Sequence, residues 1–304
     1  MMKVGVLGGS GFLGMNIIRH LVQNPAFQVS ATSRKKKPEW SLLPVQWSEL
    51  ELNDPKTIQN FLKDLDAVIY LAHEGGPNIV KNWQDESDQN LLPIRNFVEA
   101  LRSLNRPTPM KVIYFSSGGA IYGKAPSHTP WIEESALSPV SPYGVLKQTC
   151  ENILRLASLE RVCDCIGLRV SNPYGNRFVH QKSQGIIDVA IAKLATDSPF
   201  SLYGSPGFVR DFIFIDDLTV AVEQCLAYET TYDVFNIGSG IGTSIGDTLT
   251  MVQKVFGKKL RVDVIPSSPK IIPIDWSVLD VTKAKKMLHW SPQKTLEQGI
   301  QLLR

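Results

Sequence analysis

The sequence predicts an α/β protein built on a doubly wound parallel sheet. Two patterns carry that reading: short apolar runs alternate with segments of helical period, and a glycine-rich turn joins the first run to the first helical segment. After about residue 172 the alternation loosens into loops rich in Pro, Gly and Ser, so a smaller C-terminal lobe interleaved with the sheet is expected there.

The elements follow in order. "KVGVLG", "QVSATS", "AVIYLA", "KVIYFSS" and "CIGLRVSN" are short, rich in β-branched and aromatic residues, and read as strands. Between them "FLGMNIIRHLVQN", "PKTIQNFLKDL", "QNLLPIRNFVEALRSL" and "GVLKQTCENILRLASL" repeat apolar residues at helical spacing. Strand and helix in alternation require crossover connections, hence parallel strands with helices on both faces. Two later strands are expected at "RDFIFIDD" and "DVFNIGSG". The expected division is a first domain over 1–172 with 211–240, and a second lobe over 173–210 with 241–304.

Composition narrows the function classes. With 304 residues, 43% of them hydrophobic, the chain is long enough to bury a sizeable core. Its 32 basic and 29 acidic residues leave a net charge of +3, too small for a general nucleic-acid surface, and the one basic run, "RKKK" from Arg34 to Lys37, is short. No stretch of 18 apolar residues is present and the first residues do not read as a signal peptide, so no membrane partner and a cytoplasmic location are expected. Cys150, Cys163, Cys165 and Cys225 lie in apolar segments without metal spacing and are expected to be reduced core residues, with no metal bound.

The turn "VGVLGGSGFLG" sets Gly8, Gly11 and Gly14 as GxxGxxG between the first strand and first helix. Glycines there permit a tight turn and let the backbone approach a pyrophosphate, whose charge the helix N-terminus favours. The domain is therefore expected to be a Rossmann-type dinucleotide-binding domain. An acidic residue at the end of the second strand would bind the ribose hydroxyls of NAD, and an arginine would suit the 2′-phosphate of NADP. That strand ends in "ATSRKKK", with Ser33 at the acidic position and Arg34 after it, which favours NADP slightly and leaves NAD open.

"SPYGVLKQTC" places Tyr143 and Lys147 four residues apart at the start of a predicted helix. Residues so spaced share one face, and an ammonium beside a phenol favours the ionised phenol that a base requires. Tyr and Lys are also ordinary residues at helix starts, so the spacing alone leaves both readings standing.

Several motifs in one order decide between them. The GxxGxxG turn, the YxxxK pair and the intervening "FSSGGAIYG" resemble the extended short-chain dehydrogenase/reductase family, in its nucleotide-sugar epimerase/dehydratase branch. The resemblance covers nearly the whole chain, through "ELNDPKTIQNFLKDLDAVIYLAH", "LRVSNPYGNR", "GFVRDFIFIDDL", "FNIGSGIGTS" and "VLDVTKAKKMLHWSP". It implies that Tyr143 is the acid/base and Lys147 its partner, both also meeting the cofactor. It implies further cofactor contacts at Phe12, Leu13, Leu71, Ala72, Ser116 and Pro173, and at Glu51 and Leu52 toward the adenine. Asn90 matches a recurrent asparagine, and His73 stands where the family more often has a small residue, within reach of nicotinamide or sugar.

On the substrate side the resemblance implies that Asn172 and Arg210 meet the diphosphate of a nucleotide sugar, with Lys270 where a second arginine is usual. The sequence "VRDF" also admits an ion pair between Arg210 and Asp211. The family's Ser or Thr hydroxyl, four residues before the tyrosine of "IYG" (Tyr122), falls on Gly118, and Ser117 beside it is the candidate replacement in catalysis and contact. Gly119 and Ala120 replace the acidic pair of the dehydratases. The expected activity is therefore epimerisation at sugar C4. Reduction of a 4-keto sugar is the alternative, and NADP binding without turnover a third reading. A homodimer through the helices near Asn90 and Tyr143 is expected from the apolar "LLPIRNFVEAL".

Overall fold

The computed structural model describes residues 1–35, 43–74, 83–175, 185–266 and 272–304. The chain divides into two compact units, Met1–Ser116 with Pro142–Leu168 and Val222–Phe235, and Ser117–Ser141 with Arg169–Ala221 and Asn236–Arg304.

The first unit is organised by a central sheet. Its strands are β1 (Met2–Leu7), β2 (Phe27–Ser33), β3 (Gln46–Glu49), β4 (Ala67–Tyr70), β5 (Met110–Ser117), β6 (Cys163–Val170) and, after the second unit's β7 (Asn172–Tyr174), β8 (Phe200–Tyr203) and β9 (Val209–Phe214), the strand β10 (Tyr232–Ile237). Their spatial order is β10-β6-β5-β4-β1-β2-β3. β1 pairs in parallel with both β2 and β4, so the strand order reverses at its carboxyl end, the place where open α/β sheets bind nucleotides. The helices are α1 (Phe12–Leu21), α2 (Pro55–Leu62), α3 (Trp83–Glu86), α4 (Leu92–Ser103) and α5 (Pro142–Leu159). α2 starts where the sequence supplies a cap, Asp54 accepting from the Lys56 N–H at 3.0 Å, with Pro55 next. Val68, Val112, Phe97, Leu101, Leu154 and their neighbours form a hydrophobic core between sheet and helices. All four cysteines are buried and unbridged, as expected.

One predicted helix changes its winding along its length. "QNLLPIRNFVEALRSL" begins as a π-helical turn, Ser87–Leu91, and becomes α4 only at Leu92. Pro93 accounts for the wider turn, because it has no N–H to complete an α-helical bond there.

The second unit continues with α6 (Ile186–Ala195), α7 (Ile215–Ala227, shared with the first unit), β11 (Gly242–Ser244), α8 (Ile245–Phe256), β12 (Val262–Ile265), β13 (Trp276–Ser277), α9 (Thr282–Met287) and α10 (Leu296–Gln301). β9 pairs with β7, β11 and β13 and not with the central sheet, and the segment Ser117–Ser141 belongs to this unit as well. Strand pairing, which no local pattern encodes, places "RDFIF". Among the described residues, no helix is long and apolar enough to cross a membrane.

Candidate active site

The glycine turn forms a cradle that side chains would fill. Gly8 has φ +84°, and a Cβ there would come within 3.0 Å of the Ala72 amide nitrogen. A Cβ at Gly14 would lie 2.5 Å from the Gly9 carbonyl oxygen, so only glycine lets α1 pack on the turn. Gly11 caps α1 without a side chain, and no acidic residue follows in the first turn, which leaves the amino-terminal N–H groups suited to an anion. Phe12 and Leu13 open that helix, and Leu71 and Ala72 follow β4 beside Gly8. These residues fit a dinucleotide pyrophosphate.

At the end of β2 the structure separates the two cofactor-selecting candidates. Ser33 is buried, its hydroxyl 2.8 Å from that of Ser10 in the glycine turn and donating to the Lys35 carbonyl at 3.0 Å. Arg34 is exposed and paired with Glu74 at 2.5 Å. Glu51 and Leu52 follow β3 on the same side of the unit's sheet order, and Asn53 donates to the Glu51 carboxylate at 3.3 Å.

Tyr143 and Lys147 stand one turn apart near the start of α5. Lys147 is buried at 6% exposure and donates from Nζ to the Phe115 carbonyl at 2.8 Å. Its Nζ lies 5.7 Å from the centre of the Tyr143 ring and 5.2 Å from that of Tyr114. Burial pushes its pKa down to about 8, against the opposing pull of Cys150, Glu151 and Glu86. His73 meets the Tyr143 ring edge-on at 4.9 Å. Ser116, at the end of β5, has a buried hydroxyl with no hydrogen-bond partner among the described residues, a group that a bound ligand can satisfy.

Asn90 organises this corner from the π-helical turn. Its Oδ1 accepts from the Glu74 N–H at 2.8 Å, and its Nδ2 donates to the Glu74 carbonyl at 3.1 Å and to Glu86 Oε2 at 2.8 Å. Glu86, 1% exposed, and Glu74 are participants that sequence reasoning missed. Their only local signal was the four-residue spacing of Glu86 and Asn90, hidden in the polar run "NWQDESDQN".

The second unit holds the remaining candidates. Asn172, at the start of β7 before Pro173, donates to the Asp211 carbonyl at 2.9 Å. Arg210 donates to the carbonyls of Val209 and Ile274, both at 2.8 Å, and lies over the Phe208 ring. Burial lowers its pKa, opposed by Asp275. No Arg210–Asp211 ion pair forms. The fully buried Asp211 carboxylate accepts instead from Ser239, Gly240 and Leu279, which fastens three segments of this unit.

Gly118 has a structural cause. A Cβ there would lie 2.6 Å from Leu279 Cδ1 and 3.0 Å from the Arg169 carbonyl oxygen, so Leu279 occupies the space a side chain at this position would need. Ser117 is half-buried, and its carbonyl accepts from Ala120 and Ile121 in the turn. Tyr122 is held by its partners: it donates to Asn236 at 2.7 Å, accepts from Arg169 at 3.0 Å and stacks on Trp131. Lys270 lies outside the described residues. Among the described residues no cluster of His, Cys, Asp and Glu could hold a metal ion.

Comparison with known proteins identifies the family. Residues 4–238 match the model of the NAD dependent epimerase/dehydratase family. The chain is 32% identical to a dTDP-4-dehydro-6-deoxyglucose reductase of Escherichia coli, over 99% of this chain and 96% of that one. It is 27% identical to a UDP-glucose 4-epimerase of Lactobacillus helveticus, over 96% and 92%. Among solved structures, the Thermus thermophilus UDP-glucose 4-epimerase in complex with NAD superposes with a TM-score of 0.88 at 25% identity, covering 99% of this chain and 97% of that one.

Proposed function

The chain belongs to the NAD dependent epimerase/dehydratase family, and on that footing we propose that it epimerises a nucleotide-diphosphate sugar at C4. The observation that carries the reading is the Tyr143/Lys147 pair on α5, with Lys147 anchored to the Phe115 carbonyl.

The nicotinamide supplies a hydride acceptor and donor at the sugar carbon. The protein supplies the proton transfer. Tyr143 takes the proton of the C4 hydroxyl as hydride leaves and returns it when hydride comes back to the other face. Lys147, in its protonated form, lowers the cost of the phenolate by a positive charge at close range in a water-poor setting. His73 packs against the ring and restricts its rotation. In the second unit the Arg210 fork suits a diphosphate, with Asn172 and Lys270 as further polar contacts. Leu279 at Gly118 leaves Ser117 and the buried Ser116 hydroxyl as the remaining donors at the end of β5.

A second reading, NADPH-dependent reduction of a 4-keto sugar, is supported by the 32% identity to the E. coli reductase. One experiment separates the two. Denatured protein is assayed by mass for released cofactor, and turnover of UDP- and dTDP-sugars is followed by NADPH absorbance and sugar NMR. Epimerisation predicts bound NAD and interconversion without net NADPH loss. Stoichiometric NADPH oxidation would replace the epimerase reading by the reductase.

Three further parts belong to the proposal. Arg34 at the ribose end admits NADP as well as NAD. The reduced cysteines support a cytoplasmic location. Leu156 and Leu159, exposed on α5, support a homodimer through that helix.

A further inference from the structure

Arg34, the cation that the sequence offers to a 2′-phosphate, already has a partner. Its Nη1 donates to Glu74 Oε2 at 2.5 Å, joining the end of β2 to the segment after β4. Glu74 does not reach it from an unanchored loop. Asn90 holds the Glu74 main chain at both its N–H and its carbonyl, and Asn90 is itself 5% exposed and bonded to the buried Glu86. The carboxylate is thus presented to Arg34 from a fixed backbone.

We propose that Glu74 is a specificity-determining residue of the cofactor site, which holds Arg34 and turns the choice from NADP toward NAD. The inference rests on the reading of Arg34 as the residue beside the adenosine ribose. In the usual arrangement the end of β2 itself supplies the carboxylate that rejects a 2′-phosphate. Here that position is Ser33, whose hydroxyl is committed to Ser10 and the Lys35 carbonyl. The negative charge that the β2 end lacks comes instead from the β4 side. A 2′-phosphate would have to draw Arg34 away from Glu74 and then sit near a like charge, whereas the hydroxyls of NAD meet neither cost.

The pair is partly exposed, 67% at Arg34 and 43% at Glu74, so the effect is modest. Dissociation constants for NAD and NADP, measured by calorimetry on the full chain freed of cofactor, test it. Glu74→Gln should tighten NADP by about 5-fold and leave NAD within about 2-fold, the scale of an exposed ion pair. Glu74→Ala should act in the same direction, and neither change should appear in an Arg34→Ala background. Circular dichroism melting confirms that each variant folds. If Arg34→Ala weakens NADP selectively but Glu74→Gln leaves the NADP/NAD ratio unchanged, Glu74 has no such role and this inference alone falls. If Arg34→Ala does not move the ratio either, Arg34 is not at the ribose, and the inference falls with the reading beneath it.

Discussion

His73 and Tyr143 meet edge to face, their ring centres 4.9 Å apart with 80° between the planes. An aromatic pair of this kind is worth about 0.5–1.5 kcal/mol and here orients the Tyr143 ring. His73→Ala is expected to lower kcat roughly 2- to 10-fold with cofactor affinity unchanged, while Tyr143→Phe abolishes turnover and still binds cofactor. Steady-state kinetics and cofactor titration of both variants check this. A Tyr143→Phe protein turning over within a few-fold of the parent would remove Tyr143 from the mechanism.

Lys147 should trade stability for function. Its folded pKa, about 8, lies below the ordinary lysine value of 10.5, so the folded state binds this proton less readily than the unfolded chain. Below pH 8 both states carry the charge and the fold bears the full cost of burying it. Between about 8 and 10.5 the folded lysine is neutral while the unfolded one stays charged, so the parent gains stability as pH rises through that window. Lys147→Met is therefore expected to be inactive yet more stable than the parent at neutral pH, with the advantage shrinking toward pH 10.5. Denaturant melts of both proteins across that range would show it, and a constant difference would mean that the lysine is not desolvated.

Restoring the family hydroxyl should fail. Gly118→Ser drives a Cβ into Leu279, and overpacking of this kind costs about 1–3 kcal/mol. Leu279→Ala on top of it should recover part of that loss, a coupling that a double-mutant cycle of melting temperatures measures. A Gly118→Ser protein as stable and active as the parent would show that Leu279 yields freely.

Arg210→Ala should weaken binding of UDP and dTDP sugars roughly 10- to 150-fold, the worth of one charge-assisted hydrogen bond. NADP and NAD affinity should hardly change. Arg210→Lys, which keeps charge without the fork, should fall between parent and Ala. Calorimetric titration with nucleoside diphosphates decides the matter: equal binding by parent and Arg210→Ala would exclude this residue from the substrate site.

The sequence by itself determined what local chemistry determines. Apolar period marked the strands β1, β2, β4, β5 and β6 and the helices α1, α2 and α5, because one buried face per element repeats at a fixed spacing. Gly8 and Gly14 were legible because a positive φ and a backbone contact leave only one residue type. One helical turn put Tyr143 and Lys147 on one face of α5, while their roles came only from the resemblance. The short strand β3 was not, since four residues at a sheet edge carry too little pattern.

Tertiary structure alone decided what depends on residues distant in the chain. Strand pairing moved β9 into the second unit, and Leu279 took the space beside Gly118. Ser10 claimed Ser33, Glu74 claimed Arg34, and Asn90 fixed Glu74 in place. The four-stranded arrangement around β9 buried Asp211 against Ser239, Gly240 and Leu279, where its neighbour Arg210 cannot pair with it. Such partners meet only when the chain folds, because hydrogen bonds and close packing act over a few ångströms of space and leave no trace in the spacing of residues along the sequence.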